Sequence, residues 1–426
     1  MIKGDNMREK LTTGVYSEIG DLEAVLLHTP GKELENMTPE NAERALYSDV
    51  LNLKVALKEY EQMEKVLSKF AKTYQVKDLL KEILENDRIK ENLVEKILKN
   101  ECCIEIASYL NSLSAEELAT RLIEGVPMKK DTLTKFLNPE RFSLRPLHNF
   151  FFTRDSAVTM YDKTLIGRMA NAVREREVII MEAIFDSSQQ FNARTVNPAK
   201  SAKFNNNILI EGGDVLIARE DVLLIGIGSR TSSQGVDYIV EKFMAKNEKK
   251  HIIVQELPDK PESFIHLDMV FTFLDKDKVM VYEPLIMKPT RYQTVHIVID
   301  NGKVKNISTD EHIPDVLKKI GMDMKPVFCG GKNDPWIQER EQWHSGANFF
   351  AIAPGKVIGY GRNVHTIEEL SKNGFDVLKA EDIINEKVKI KDYKKFVVTI
   401  EGSELARGGG GCRCMTMPVK RKKINF

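Results

Sequence analysis

The sequence predicts an α/β fold with a large helical insertion, and two contrasting patterns lead to this prediction. Between about residues 41 and 137, apolar residues recur at helical spacing. After about residue 140, short β-rich runs alternate with turns and helices. Strands of this number and shortness favour a repeated α/β unit over one long parallel sheet, although the residues themselves show no convincing repeat.

The N-terminal part begins with a predicted strand at 22–28 that ends in a turn. The helical block follows, and one of its helices begins with a capping box at Ser114 and ends at Gly125. One helix face in the block is marked by Leu53, Leu57, Tyr60, Met63, Leu67 and Phe70. We therefore assign residues 46–137 to an inserted helical bundle.

The second part of the chain supplies most of the predicted strands, with helices predicted at 232–244 and 313–320. The predicted strands lie at 207–210, 222–225, 251–254, 270–273, 279–282, 294–299, 349–352, 357–360 and 396–400. Each run is short and rich in β-branched or aromatic residues, which favour strands. Residues 138–426, together with 1–45, are therefore assigned to one α/β domain.

Composition argues against several classes of function. The 426 residues contain 63 Lys+Arg and 63 Asp+Glu, which argues against nucleic acid or an anionic membrane as the main partner. No apolar run approaches the ~20 residues of a membrane span, and the first residues lack an apolar signal region. The five cysteines are too few and too unevenly placed for a disulfide framework, which favours a reducing cytoplasm.

The strongest indication of chemistry lies near the C-terminal end, where four glycines at 408–411 precede Cys412, Arg413 and Cys414. Glycines let the backbone approach a ligand closely, and a thiolate is a strong nucleophile. A glycine-rich loop that ends at a cysteine therefore indicates covalent catalysis. The alternative is a flexible tail with incidental cysteines.

Carboxylates and a histidine occur at predicted strand ends and turns. Asp155 ends the aromatic run 149–155, and Glu211 precedes a glycine turn. We expect His266 and Asp268 on one face of a strand, among apolar residues where burying them without a purpose is costly. The alternatives are a capping aspartate after a buried strand at the first site and a hairpin turn at the second.

Two arginines, Arg174 and Arg230, are further candidates, although each is more often a solvated surface charge. A thiol protease needs hydrogen-bond donors for an oxyanion, which a site rich in carboxylates would repel. Such a site fits a cation instead, and a planar guanidinium pairs with carboxylates through two hydrogen bonds. The residues therefore predict thiolate attack on the central carbon of a guanidinium, with a histidine as general acid and base.

Several segments, taken in chain order, resemble the arginine deiminase family. They are 16–20 (YSEIG), 29–31 (TPG), 149–155 (NFFFTRD), 210–214 (IEGGD), 266–268 (HLD), 329–348 with its QEREQW core, and 414–418 (CMTMP). The resemblance covers nearly all of the chain. The helical insertion is similar to that of arginine deiminases, whereas the related dimethylarginine hydrolases and amidinotransferases lack such a block.

The resemblance implies a five-bladed α/β propeller of ββαβ modules, the pentein fold, and hydrolysis of L-arginine to L-citrulline and ammonia without metal or organic cofactor. It implies Cys414 as the nucleophile and His266 as the general acid and base. It also implies that Asp155 and Asp268 grip the guanidinium and that Glu211 sits with His266 on its other nitrogens. Further positions that match the substrate pocket are Asn149, Phe152, Arg174, Arg230 and Gly408.

The chain departs from many members of that family where the amino-acid end of the substrate is held. Gly409 stands where they carry an arginine, five residues before the cysteine. Cys412 is also unusual at its position, and Ser156 with Ala157 replaces a common Pro-Phe. These departures leave the strictness for free arginine open, but they do not touch the nucleophile, the histidine or the gripping carboxylates.

We therefore expect a cytoplasmic, homo-oligomeric arginine deiminase whose partner is a small-molecule substrate, L-arginine. One alternative is a related guanidine hydrolase that acts on agmatine or methylated arginine, and another is an inactive binding protein on the same scaffold. A third is a metal-dependent hydrolase, although Cys-x-Cys without a second such pair is weak for zinc. Its candidate ligands would be His266, Asp268, Glu211, Cys412 and Cys414.

Overall fold

The computed structural model describes residues 10–201 and 206–426. The prediction that the first residues lack a signal region falls largely on residues 1–9, which lie outside the described residues. The fold is α/β, as predicted. Across the described parts of the chain, no helix is both long enough and apolar enough to cross a membrane.

Five three-stranded units share one pairing pattern, in which the first two strands are antiparallel and the third runs parallel to the second. The units are Met417–Arg421, Leu22–Leu27 and Lys72–Gln75; Ala157–Met160, Lys163–Ile166 and Thr195–Val196; Val215–Arg219, Val222–Ile227 and Lys250–Glu256; Phe271–Asp275, Lys278–Val281 and Lys325–Phe328; Phe350–Ala353, Lys356–Tyr360 and Phe396–Ile400. The first unit takes its first strand from the C-terminal end of the chain, so the two ends of the chain meet in one sheet.

Helices make the crossover between the parallel strands of each unit. In unit order these helices are Leu53–Ser68, Glu175–Ser187, Ser233–Met244, Ile313–Lys319 and Val364–Lys372. Strands Thr294–Asp300 and Lys303–Asp310 extend the third sheet to five strands, and Asp376–Lys379 extends the fifth to four. The other α-helices outside the helical block are Lys32–Glu35, Pro39–Ala42, Thr153–Ser156, Glu283–Ile286, Pro335–Trp343 and Ala380–Ile384. A repeat of backbone pairing is therefore present where the residues showed none.

The helical block contains Val76–Leu84, Asp87–Glu101, Ala107–Ser112, Ala115–Glu124 and Leu133–Leu137. The capping box at Ser114 is confirmed, because Glu117 N donates to Ser114 Oγ and the Glu117 carboxylate accepts from Ser114 N. Inside the predicted 46–137 bundle, however, strand Lys72–Gln75 pairs with Leu22–Leu27. The helix before that strand is thus the crossover of the first unit. The block as a separate domain stays a prediction.

The block and the α/β part share one apolar core. Leu80, Val94 and Leu118 of the block lie in the same buried cluster as Ile180 and Met417. Because helix Glu175–Ser187 follows directly on Arg174, this core fixes the backbone next to one of the predicted site residues.

Candidate active site

A cavity opens where the ends of several units meet, and eight predicted site residues line it: Asn149, Phe152, Asp155, Arg174, Arg230, His266, Gly408 and Cys414. The carboxylates of Glu211 and Asp268 lie directly behind His266 and Cys414. Leu46, Ser48, Trp343 and Arg407 line the cavity as well. The sequence had suggested Arg407 as a further partner of the substrate carboxylate, but it assigned no role to the other three, of which Leu46 and Ser48 fall inside the predicted helical bundle.

The prediction that His266 and Asp268 share one face of a strand is wrong. His266 is the residue before a 3₁₀ turn, Leu267–Met269, and the strand begins only at Phe271. The cause is Asp214, whose buried Oδ1 accepts a hydrogen bond from Leu267 N at 2.9 Å and bends the backbone. Burial raises the pKa of Asp214 to about 7. The turn brings both side chains to the site.

His266 and Glu211 form a buried charged pair. His266 Nε2 lies 2.9 Å from Glu211 Oε2, and Nδ1 lies 3.7 Å from Asp155 Oδ1. Burial lowers the pKa of His266, but the charge of Asp155 and the hydrogen bond with Glu211 outweigh it and raise the pKa to about 9. Burial raises the pKa of Glu211, but the hydrogen bond with His266 and the charge of His266 outweigh the effect of burial and lower the pKa to about 2. His266 therefore carries a proton at neutral pH.

Arg174 orients Asp155 in the cavity. Arg174 Nη1 donates to Asp155 Oδ2 at 2.6 Å, while its Nε and Nη2 bond Glu177 and Nη2 also bonds the carbonyl oxygens of Asn149 and Phe152. Asp155 Oδ1 is buried and has no hydrogen-bond partner among the described residues. Since a buried acceptor without a partner is costly, this oxygen is suited to a ligand's N–H group.

Cys414 Sγ faces the cavity beside a carboxylate and an amide. It lies 3.8 Å from Asp268 Oδ2 and 3.2 Å from Asn348 Nδ2. Burial, followed by the charges of Asp268 and Asp155, raises the pKa of the Cys414 thiol well above its usual value. The site without a ligand therefore favours the protonated thiol, and a bound cation would favour the thiolate.

Arg413, which the sequence left without a role, anchors the nucleophile loop. It is buried, donates to Asp268 Oδ2 at 2.8 Å, and pairs through Nε and Nη2 with the two carboxylate oxygens of Glu18 at 3.0 and 3.1 Å. An arginine between two cysteines in an otherwise apolar segment must find buried carboxylates, since an unpaired buried charge is very costly. The position of Arg413 between two cysteines was therefore the sequence feature that could have revealed its role. One of its partners, Glu18, lies in the YSEIG segment.

The two neighbouring cysteines have different surroundings. Cys412 is fully buried in the apolar cluster that also holds Tyr360, Met415 and Cys414, and burial raises the pKa of its thiol. Cys414 alone of the two lines the cavity. The geometry therefore distinguishes one thiol in contact with the site from one that packs in the core.

The proposed metal ligands are brought together only in part. Of the proposed ligands, Glu211 and His266 come together, and each places one ligand atom within 4.8 Å of the other and of Asp155, which was not among the proposed ligands. The Cys412 thiol lies in the core, and the carboxylate of Asp268 already accepts from Arg413. A metal ion would have to compete with the hydrogen bond between Glu211 and His266, whereas Asp155 Oδ1 has no partner among the described residues.

The mouth of the cavity is formed by two loops, around residues 49–52 and 404–407, that are joined by an ion pair and a hydrogen bond. Arg407 donates to Asp49 Oδ2 and to the carboxylate of Glu404, and Asn52 N donates to Glu404 Oε1. The Arg407 and Asp49 side chains are 38% and 52% exposed. Arg230 lies deeper, with Nη1 3.9 Å from Glu211 Oε1, and its side chain is only 13% exposed.

The glycine-rich segment is shaped by two of its residues in particular. Gly409 has a φ of +81°, in the left-handed region, and a Cβ added there would meet nothing within 4 Å. A Cβ at Gly410 would lie 2.4 Å from the ring of Phe152, so only glycine lets the backbone pass over this ring. Asn149 supports the same wall by donating to Ala45 O at 2.7 Å.

Comparison with known proteins identifies the family. The family model described as arginine deiminase matches residues 43–421. The arginine deiminase of Bacillus cytotoxicus is 33% identical over 96% of this chain and 98% of that protein. The arginine deiminase of Listeria monocytogenes serotype 4a is 32% identical over 98% of this chain and 100% of that protein. The chain belongs to the arginine deiminase family.

Solved structures with low sequence identity share the fold. SxtG, an amidinotransferase from Microseira wollei, gives a TM-score of 0.52 at 13% identity and covers 97% of this chain and 98% of its own. DDAH from Pseudomonas aeruginosa, in complex with citrulline, gives 0.50 at 13% identity, with 93% and 99% covered. These likenesses place this member of the arginine deiminase family in the α/β fold of amidinotransferases and DDAH.

Proposed function

We propose that this chain hydrolyses L-arginine to L-citrulline and ammonia through a covalent intermediate on Cys414. The observation that carries the proposal is one cavity that presents the Cys414 thiol, the protonated His266 and the unpartnered Asp155 Oδ1. Membership of the arginine deiminase family supports the same substrate. A cationic guanidinium is the ligand that such a set of carboxylates fits.

The substrate would lie with its guanidinium at the buried end of the cavity. Asp155 Oδ1 and the carboxylate of Asp268 accept from its N–H groups, and Glu211 acts with His266 on the remaining nitrogens. Arg230 and Arg174 line the cavity below its mouth. These two cations hold the α-carboxylate of the substrate. Asn149, Phe152 and Gly408 form the surrounding wall.

The first half of the reaction forms the thiouronium. Binding of the guanidinium adds positive charge beside Sγ, which lowers the pKa of the Cys414 thiol and releases its proton to solvent. The thiolate attacks the central guanidinium carbon, and a C–S bond forms. His266 then gives its proton to one amino nitrogen, the C–N bond breaks, and ammonia leaves.

The second half clears the adduct. His266, now neutral, takes a proton from a water molecule as the oxygen attacks the thiouronium carbon. The C–S bond breaks, the thiolate of Cys414 is restored, and the hydroxyl proton passes to solvent to leave citrulline. His266 has regained its proton and the enzyme is ready for another substrate. General acid and base help of this kind is worth ~10²–10⁴ in rate.

We also propose that the five three-stranded units are the five ββαβ modules of a propeller around a pseudo-fivefold axis. The identical pairing order in all five supports this arrangement. The helical block would then be an insertion after the third strand of the first module, at Gln75. A homo-oligomer and a cytoplasmic location stay predictions from the sequence.

A citrulline assay with arginine, agmatine and dimethylarginine tests the proposed function. Arginine should give the highest kcat/KM, and the rate should be the same after dialysis against a chelator. A specific observation favours one other candidate, because Asp155, Glu211 and His266 could hold a metal ion. Loss of activity with the chelator and its return with added metal would support that metallohydrolase instead.

A further inference from the structure

The side chain of Asn348 lies behind Cys414 with all its hydrogen-bonding groups in use. Oδ1 accepts from Arg413 N at 2.9 Å and from Cys414 N at 3.2 Å. Nδ2 donates to Asp268 O at 3.0 Å and lies 3.2 Å from Cys414 Sγ. A primary amide accepts two hydrogen bonds and donates two, so these four contacts fill its capacity.

The backbone contacts fix which way the amide faces. Two backbone N–H groups require the oxygen on one side, and the carbonyl of Asp268 requires an N–H on the other. A flipped amide would set donors against donors, so the remaining N–H faces two sulfur atoms, Cys414 Sγ at 3.2 Å and Met269 Sδ at a longer 3.6 Å. Gly411 allows this approach, since a Cβ there would lie 2.7 Å from Oδ1 of Asn348.

We propose that Asn348 is a positioning residue that holds Cys414 in place and donates a hydrogen bond to its thiolate. The inference rests on the proposed attack by Cys414. A hydrogen bond to the charged form of a group favours that form. Burial and two nearby carboxylates disfavour the thiolate, so a donor at Sγ opposes them. A neutral amide donates this hydrogen bond without repelling a cationic substrate. A lysine or arginine at this position would repel it.

The test uses the reactivity of the thiol in the protein without substrate. Asn348→Asp keeps an oxygen for the two backbone N–H groups, but it removes the donors to Sγ and to Asp268 O and adds a negative charge beside the thiol. Asn348→Ala removes the oxygen and the donors without adding a charge. Alkylation by iodoacetamide is followed at a fixed pH below the thiol pKa, with the modified peptide identified by mass. Trypsin cleaves after Arg407, Arg413 and Lys420, so Cys412 and Cys414 fall on separate peptides.

Alkylation of Cys414 should slow about 10- to 100-fold in both variants, because a hydrogen bond to a charged group shifts a pKa by about one to two units. For Asn348→Ala, kcat should fall with the KM for arginine within about threefold of the parent. Asn363→Ala is the matched control. It also loses a buried amide, one that donates to His344 O at 3.0 Å and does not touch Cys414, and it should be alkylated at the parent's rate.

Folded Asn348→Asp protein that is alkylated within threefold of the parent would overturn the inference, as would an equal slowing in Asn363→Ala. If Asn348→Ala does not fold, the aspartate variant carries the test. Failure of the proposed function is a separate result. The parent would then make no citrulline, while the alkylation rates would still report the contact between Asn348 and Cys414.

Discussion

The two ends of the cavity differ in how their charges are held. The reactive end (Asp155, Glu211, His266, Asp268 and Cys414) is tied by buried ion pairs, and the side chains of Arg413 and Asp268 are 1% and 0% exposed. The mouth (Leu46, Ser48, Arg407 and 408–410) is held by exposed pairs such as Arg407 with Asp49, whose side chains are 38% and 52% exposed. Breaking a buried pair is strongly destabilising, whereas exposed pairs contribute little. The chemistry is therefore fixed at one end, and the selection of substrate can vary at the other.

The largest effect is expected at the nucleophile. Cys414→Ala or Cys414→Ser should abolish citrulline formation, by at least about 10⁴-fold, because removing a nucleophile removes the covalent route. Acid-quenched parent enzyme should carry an adduct on the peptide that begins at Cys414. In His266→Ala the adduct should form slowly and fail to clear. The measurements are a citrulline assay and the peptide mass.

Cys412→Ala is the matched control for the nucleophile, since it changes a thiol two residues away that packs in the apolar core. It should keep most of the activity. If this variant were inactive and Cys414→Ala active, or if the adduct mapped to Cys412 or Cys329, the assignment of the nucleophile would be wrong.

The next effect separates two arginines that the sequence treats alike. Arg174→Ala and Arg230→Ala should each lower kcat/KM for arginine by about 30- to 4,000-fold, the usual cost of truncating one member of a buried pair. Arg174→Ala should also lower kcat and the melting temperature, since it releases Asp155 and leaves Glu177 unpaired. Arg230→Ala should act mainly on KM. Identical effects of the two variants on KM, kcat and melting temperature would contradict this division.

The charged pair at the reactive end predicts a pH dependence. His266 has a raised pKa of about 9, so its acid form is present below that pH and is lost as the pH rises through it. The alkaline limb of the parent's kcat/KM should therefore lie near 9. Glu211→Gln removes a negative charge beside His266, which lowers the pKa of His266 and moves the limb to lower pH by roughly one unit. If the alkaline limb of the pH profile stays at the same pH in Glu211→Gln, whatever the maximal kcat/KM, then a group other than His266 causes the limb.

Sequence motifs predicted the residues of the reactive end better than their backbone. Cys414, His266 and Asp155 could be chosen from the sequence because each stands in a distinctive segment whose chemistry can be inferred from residue types. All three line one cavity. The turn at His266 could not be inferred, since Asp214 bends that backbone from 53 positions away along the chain. The same holds for Asn348, whose amide reaches Cys414 across 66 positions.

The five-unit architecture could be predicted only through the resemblance. Strand Lys72–Gln75 is only four residues long and lies between helices Leu53–Ser68 and Val76–Leu84, so it does not stand out from the helical pattern around it. Its pairing with Leu22–Leu27 is a contact between backbones, which leaves the side chains free to vary. Such a repeat is invisible to a search for recurring residues.

A smaller effect is expected at the mouth, at Gly409, the position where the family resemblance predicts an arginine. Gly409→Arg has room for its Cβ, and it should lower the KM for arginine by up to about fivefold, as a partly exposed ion pair does. Its preference for arginine over agmatine should rise, because agmatine lacks the carboxylate. Gly409→Ala is the control, since it carries the same backbone strain at φ +81° without the guanidinium.

The parent should still prefer arginine, because agmatine offers no α-carboxylate for Arg174 and Arg230 to bind. The measurement is kcat/KM for both substrates in the parent and the two Gly409 variants. Equal or better use of agmatine by the parent would overturn the assignment of L-arginine, although hydrolysis of a guanidine would stand.

The smallest effect is expected farthest from both ends, in the helical block. Lys81 and Glu116 join two of its helices at 2.8 Å, on the surface. Exchanging them, as Lys81→Glu with Glu116→Lys, should leave kcat within about twofold, since an exposed pair contributes little and neither residue lines the cavity.

Lys96→Glu is an informative contrast in the same block. Lys96 is half exposed and pairs with the buried Glu182 on the helix that follows Arg174, so the variant sets two negative charges together at the edge of the shared core. Its melting temperature should fall, whereas the kcat of the folded protein should not, because the change reaches the cavity only through packing. A large loss of kcat in the Lys81→Glu, Glu116→Lys variant, with the fold intact, would mean that the block lines the site or holds an essential subunit contact. The comparison between the two ends of the cavity would then have to include a third region.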